Sequence, residues 1–188
     1  MATRKSKTKS KEPDTKEAER LLERLNALEP SRMGADTLGK MIGVAGWQLD
    51  ELKKAGALPS PGVKGKRTQF SPLDMLRHAL IVGLKNIGLT NQASVELAQY
   101  LDGATMWRMA ESMACGQEVY LTCWFDGEHK FTIGDASEIT ALMRATSKPL
   151  LTMCVSQVFY MILRVKDQVV LADEFAKAAG RSPRDYGG

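Results

Sequence analysis

Sulfur, imidazole and aromatic rings are in short supply in this 188-residue sequence, which holds three cysteines, two histidines and 6% Phe, Trp and Tyr. Cys115, Cys123 and Cys154 form no CxxC and cannot all pair, which excludes a disulfide scaffold. Together with His129 they contain no compact ligand pair, and a tetrahedral metal site needs convergent ligands, so neither a metal nor a cofactor is expected. Cys123 and Cys154 lie in apolar runs, the ordinary setting of a buried thiol. His78 sits on a predicted helix and reads as structural. The longest apolar region, Leu150–Leu163, is too short, and too interrupted by Thr152, Ser156 and Gln157, to span a bilayer. The charged N-terminus has no apolar stretch behind it, so no signal peptide is expected and the expected location is cytoplasmic. A nucleophile–base–orienter set, a phosphate-binding glycine loop and a pair of acids suited to acid–base chemistry are all missing, so an enzyme is not expected.

Ordinary globular material is present. The chain is 44% hydrophobic and 26% charged, enough for one core or two small ones. Its net charge of +4 is unevenly spread. Residues 1–33 carry nine Lys/Arg against six Asp/Glu and residues 34–102 eight against six, whereas residues 103–188 carry nine against ten. The excess of positive charge therefore lies in the first half, where a polyanionic partner is expected. Residues 1–13 hold five basic residues and no large aliphatic one beyond Met1, which predicts a disordered basic arm, either a solubilising tail or a segment that tracks phosphates. Residues 14–33 follow as an amphipathic helix running to about Leu28, capped by Asp14 and ended by Pro30. Its stripe of Leu21, Leu25 and Leu28 is narrow and needs a partner, either the following domain or the same helix in a second chain.

Residues 36–74 have the order of parts of a winged helix-turn-helix. Asp36 caps a short helix with Leu38, Met41 and Ile42 inward, and Gly43 closes it. A second helix runs from about Ala45 to Ala55 with Leu49 and Leu52 inward and Gly56 as its cap. Pro59 to Phe70 has turn residues and the cations Lys64, Lys66 and Arg67, as a two-stranded wing aimed at a phosphate backbone would, with Phe70 folding back onto the core. Ser71, Pro72 and Asp74 then write a capping box for the next helix, which carries Leu73, Leu76, Leu80, Leu84 and Ile87 on one face. Thr90 caps another helix, and Ala104–Ala114 a third whose methionines read as core filling. At Gly116 the period changes from helix to strand. Residues 118–125 and 130–133 flank a turn at 126–129, Ala136–Arg144 reads as a short helix, and Leu150–Val155 as a third strand. Ser156 caps one last helix through Ala179. The expected fold is mainly α with a small α+β C-terminal unit: a winged helix-turn-helix domain at 34–103, a helix with a small α+β dimerisation or sensing unit at 104–180, and a tail at 181–188.

The block from Asp36 to Leu101 resembles the DNA-binding domain of the MerR family of bacterial transcriptional regulators. The matching stretches are the first helix and turn at Thr37–Val44, the exit Leu49 to Gly56-Ala57-Leu58-Pro59, the wing residues Gly65-Lys66-Arg67 with Phe70, the cap Ser71–Asp74 and the helix joint Asn86-Ile-Gly-Leu89. The family usually has an Arg and an aromatic residue where this chain has Asp50 and Leu52, and one residue fewer between Arg67 and Phe70, which implies a bulge here. The family's long dimerising coiled coil is replaced by residues 104–180. The resemblance implies a sequence-specific regulator of transcription that binds double-stranded DNA as a homodimer, the leucine stripe at 21–28 and the apolar region at 150–165 being the candidate interfaces. Lys40, Lys53, Lys54, Lys64, Lys66 and Arg67 are the expected phosphate contacts. Gln48 is placed to bond an adenine, while Trp47 either packs on a thymine methyl or sugar or buries against the wing. Asp50 and Glu51 oppose phosphate and motivate a different reading, an adaptor that binds a protein partner. A mobile-element or phage accessory protein is a third.

Overall fold

The computed structural model describes residues 15–28, 31–33, 39–40, 45–57, 68–165, 168–182 and 185, of which 31–33, 68–70 and 165 are described through their backbone only. Within them the fold is mainly helical with one three-stranded antiparallel sheet. Helices are α1 (Thr15–Asn26), α2 (Gly46–Lys54), α3 (Pro72–Asn86), α4 (Asn91–Tyr100), α5 (Gly103–Ala114), α6 (Ala136–Ala145), α7 (Val155–Val165) and α8 (Val169–Ala178). Strands are β1 (Ser31–Met33), β2 (Thr68–Phe70), β3 (Tyr120–Phe125), β4 (His129–Gly134) and β5 (Leu151–Cys154).

Helix α3 is the hub. Its start is set as the sequence predicts: Ser71 Oγ accepts from the Asp74 N–H at 3.1 Å, Asp74 Oδ2 accepts from the Ser71 N–H at 2.9 Å, and Pro72 occupies the first turn. Met75, Leu76, His78, Leu80, Ile81, Val82 and Leu84 are all buried, far more than one face. A helix apolar on most sides sits inside a core rather than on it. Accordingly α3 touches α4, α5, α7, β2 and β5. Ile87, expected on its inward face, is instead the cap residue and 51% exposed, because the helix ends one residue earlier.

One cluster of buried side chains runs from Leu21 and Leu25 of α1 through Leu49 and Leu52 of α2 to Leu171 and Phe175 of α8. The stripe of α1 therefore has a partner inside the chain. It packs on α5 and α8, and Arg20 and Arg24 both reach Glu174, Arg20 Nη2 lying 3.5 Å from its Oε1. The predicted last helix is two, α7 and α8, folded back on each other. Phe159 meets Phe175 edge-on at 5.3 Å, and the Tyr160 hydroxyl donates to Asp173 at 3.1 Å. A single rod would have left one of these apolar faces in water. Ser156 lies inside α7, where its Oγ accepts from the Val119 N–H at 2.9 Å and ties the helix to the sheet.

The sheet has the order β4-β3-β5. Phe125 pairs with His129 across a tight turn at 126–128, and Cys123 pairs with Leu151. Because side chains alternate along a strand, Leu121 and Cys123 share one face with Phe131, Leu151 and Met153. That face meets α3 and α4: Tyr100 lies 5.6 Å from Phe131 between ring centres, and Met153 packs so closely that a Cβ on Gly83 would meet its Cε at 2.3 Å. On the other face Thr122 and Thr152 hydroxyls bond at 3.0 Å, and α6 covers β3 and β4.

Strands β1 and β2 pair antiparallel, Ser31 with Phe70, Arg32 with Gln69 and Met33 with Thr68. β2 thus finds its partner ahead of α2, at residues 31–33, where the sequence predicts the end of the amphipathic-helix region and no strand. The capping role of Asp14, the close of the first helix at Gly43, and the wing tip at 59–67 with its implied bulge lie outside the described residues, as does the packing of the Phe70 side chain.

Candidate nucleic-acid interface

The paired strands β1 and β2 bring Met33 and Thr68 side by side, so the backbone of residues 34–67 starts and ends at one place. Within this stretch α2 is anchored by Leu49 and Leu52, 0% and 3% exposed. Each contributes roughly 1.5–3 kcal/mol by burial. The helix stops as Gly56 predicts: with φ +77° it lets the Gly56 N–H reach the Lys53 carbonyl at 3.0 Å and the Ala57 N–H reach the Leu52 carbonyl at 2.8 Å.

With Leu49 and Leu52 inward, the opposite side of α2 is a stripe of Trp47, Asp50, Glu51 and Lys54, all exposed. Trp47 is 63% exposed, so no described residue buries it. Gln48 is partly committed: its Oε1 accepts from the Ala45 N–H at 3.0 Å, closing the start of the helix. The cap uses one lone pair of Oε1, which leaves the second lone pair and the amide nitrogen for other partners. Lys53 is half-buried, its Nζ 3.9 Å from Asp50 Oδ1, a loose pair that contributes little because Asp50 is well exposed. Asp50 and Glu51 offset Lys53 and Lys54, so α2 has a shaped surface without net charge. Lys40 is helical and exposed. Lys64, Lys66 and Arg67 lie outside the described residues, Arg67 being the immediate neighbour of Thr68 in sequence.

Beneath this end of α3 lies His78, 1% exposed, whose Nδ1–H donates to the Asp74 carbonyl at 2.7 Å. Burial holds its pKa below the ordinary 6.5, the Asp74 carbonyl opposes this, and the Arg77 and Lys53 charges add to the lowering. His78 is thus neutral at pH 7, buried in the hub helix and bonded to its preceding turn.

A second concave feature was not foreseen. At the far end of α3, the turn Ile87–Thr90 and the end of the sheet enclose a cleft of about 500 Å³. His129 at its edge donates from Nδ1 to Glu96 Oε2 at 2.6 Å and stacks edge-on with Phe125 at 5.3 Å. Cys123 lies at its floor, 2% exposed, its thiol pushed up by burial to about 11 and hence neutral. The residues come from three segments distant in sequence, 87–90, 123–129 and 149–151, so neither spacing nor periodicity marks them. Among the described residues no three of His, Cys, Asp and Glu converge as metal ligands, and no helix is long and apolar enough to cross a membrane. Comparison with protein-family models, curated proteins and solved structures finds no match to this chain.

Proposed function

We propose that the chain is a DNA-binding protein, a regulator of transcription that grips double-stranded DNA with the 34–67 segment in the manner of a winged helix-turn-helix. The observation that carries the reading is the pairing of β1 with β2 around α2. β1 precedes α2 in the chain and β2 follows it, and their bonding to each other closes the base of the 34–67 segment, as such a module needs, with Arg67 next to that base in sequence. Lys40, Lys64, Lys66 and Arg67, with the basic residues 1–13, supply the attraction to phosphate. Helix α2, neutral in sum, supplies shape: Trp47 meets a sugar or a thymine methyl, the Gln48 nitrogen donates to a base edge, and Lys53 and Lys54 flank them. Dimerisation through the leucine stripe or the 150–165 region is not part of the reading, because Leu21, Leu25, Phe159 and Leu163 are buried within the chain. A two-fold assembly would use other apolar surface, such as Val169 and Val170, which are 39% and 65% exposed.

Electrophoretic mobility or anisotropy with genomic fragments tests this. Binding should weaken steeply with salt, and Lys66→Ala with Arg67→Ala should lower the slope of log K against log[salt] by about 0.9 per phosphate contact removed. Absence of any retardation at about 50 mM salt sinks the reading. One observation favours a second reading, an adaptor for a protein partner: Trp47 is exposed on a stripe containing two carboxylates, a surface suited to a basic protein. A complex formed by α2 that survives high salt, without protection of DNA, would point there.

A further inference from the structure

The cleft at the far end of α3 is held open by the fold. The sheet is fixed to the α3–α4 pair on one side by Tyr100 against Phe131 and by the Glu96–His129 bond, and on the other by Met153 against Gly83. Between those anchors the turn after α3 stands away from the strand ends. Gly88, at φ +124°, gives that turn its path, with the Leu89 N–H returning to the Leu84 carbonyl at 2.9 Å. The resulting volume of about 500 Å³ lies within the roughly 300–1,000 Å³ of small-molecule sites.

The chemistry of the lining is selective. Ile87, Leu89, Phe125 and Leu151 make it apolar and aromatic, and Ile87 and Phe125 are large side chains left 51% and 58% exposed beside it. Such surface gains by being covered. No Lys or Arg is among its described lining residues, and His129 is already bonded to Glu96 at 2.6 Å. An anionic guest would therefore be desolvated there without a counter-charge. Two polar points remain. A carboxylate only accepts, so the Glu96 bond keeps a proton on His129 Nδ1 and leaves Nε2 as the second polar atom of the ring. Thr90 Oγ1 accepts from the Ala93 N–H at 3.1 Å, which leaves its own hydrogen to donate.

We propose that this cleft is a binding site for a neutral, largely apolar ring compound carrying a hydroxyl group, the ring lying between the Ile87–Leu89 turn and the aromatic end of the sheet and the hydroxyl bonding His129. A hydroxyl both donates and accepts, so it satisfies Nε2 whether the imidazole is neutral or charged. The site stands on the cleft alone and does not depend on the DNA reading.

The experiment is a titration of the full-length chain at pH 7 with 2-naphthol, followed by amide-resolved NMR, alongside 2-methoxynaphthalene, which lacks the donor, and the anion 2-naphthoate. Saturable one-to-one binding is expected, with shifts gathered at residues 87–90, 123–125, 129 and 151. The methoxy compound should bind about tenfold more weakly and the anion about a hundredfold more weakly. His129→Phe should erase the preference for 2-naphthol over its methoxy analogue while retaining ring binding, and Ile87→Trp, at an exposed position, should block the cleft. Non-saturable binding, shifts scattered over other surfaces, or equal affinity for 2-naphthol and 2-naphthoate would overturn the proposal. The mapping uses the unaltered chain, so it decides the matter even where a variant does not fold.

Discussion

Two glycines that end helices in the same way make a matched test of how α5 and α8 meet. Gly116, φ +80°, follows α5 and donates to the Met113 carbonyl at 3.0 Å, with Gln117 donating to Ser112 at 3.0 Å. Gly180, φ +68°, follows α8 and donates to Lys177 at 3.0 Å, with Arg181 donating to Ala176 at 2.9 Å. Alanine at either site incurs the left-handed backbone cost of about 1–2 kcal/mol. The surroundings differ. A Cβ on Gly180 would have nothing within 4 Å, whereas one on Gly116 would lie 2.3 Å from the carbonyl oxygen of Ala178. That neighbour is backbone and cannot rotate aside, so α5 and α8 must separate, at an overpacking cost of about 1–3 kcal/mol. Gly180→Ala should then cost ~1–2 kcal/mol and Gly116→Ala ~2–5 kcal/mol. At about 2–4 °C of Tm per kcal/mol for a chain of this size, thermal melts followed by circular dichroism separate the two. Equal losses would refute the close approach of α5 to the end of α8, and with it the way the core closes around α3.

Three further outcomes follow from the same geometry. Burial keeps His78 below its ordinary pKa of 6.5, so the unfolded chain takes up a proton first as pH falls. Stability should be full above about pH 6.5 and decline below it with a limiting slope of about 1.4 kcal/mol per pH unit. The lowered carboxyl groups of Glu17, Asp102 and Asp135 act only at more acid pH, and a pH 5–7 series of urea melts in which His78→Leu is as steep as the parent would contradict the assignment. Leu21→Ala should cost about 2–5 kcal/mol with a Tm independent of protein concentration, because Leu21 is fully buried within its own chain; a concentration-dependent Tm would instead place α1 between chains. Ser71→Ala removes the cap of the hub helix and should cost about 1 kcal/mol in chemical denaturation, with no change expected if Ser71 Oγ is not bonded to Asp74.

What could be read from the sequence was local. Ser71 with Asp74, Thr90 and the glycine after α2 announce helix ends through bonds spanning three or four residues, and they lie where expected. The hairpin, the short helix α6 and the third strand also follow from period and turn residues. The misses required distant partners. A three-residue strand at Ser31–Met33 has too little pattern to announce itself, and it exists because Thr68–Phe70 lies beside it. The break between α7 and α8 is set by Phe159 meeting Phe175, and the partner of α1 by Glu174. The bond from the Ala45 N–H to Gln48 Oε1 is a helix-start contact that no side-chain pattern announces. The cleft, assembled from the Ile87 turn, Phe125, His129 and Leu151, leaves no trace in any one stretch.

The docking of α1 on α8 also fixes an order of events during synthesis. Arg24 and Glu174 are 150 residues apart, so α1 is made long before the helix that completes its cover. At about 5–20 residues per second that interval is roughly 8–30 s. Throughout it Leu21 and Leu25 lack the α8 half of their seat, and only α5, made midway, can shelter them. The leucine stripe of α1 is therefore only half covered until residues 169–178 have been made, and this side of the core closes after the rest of it.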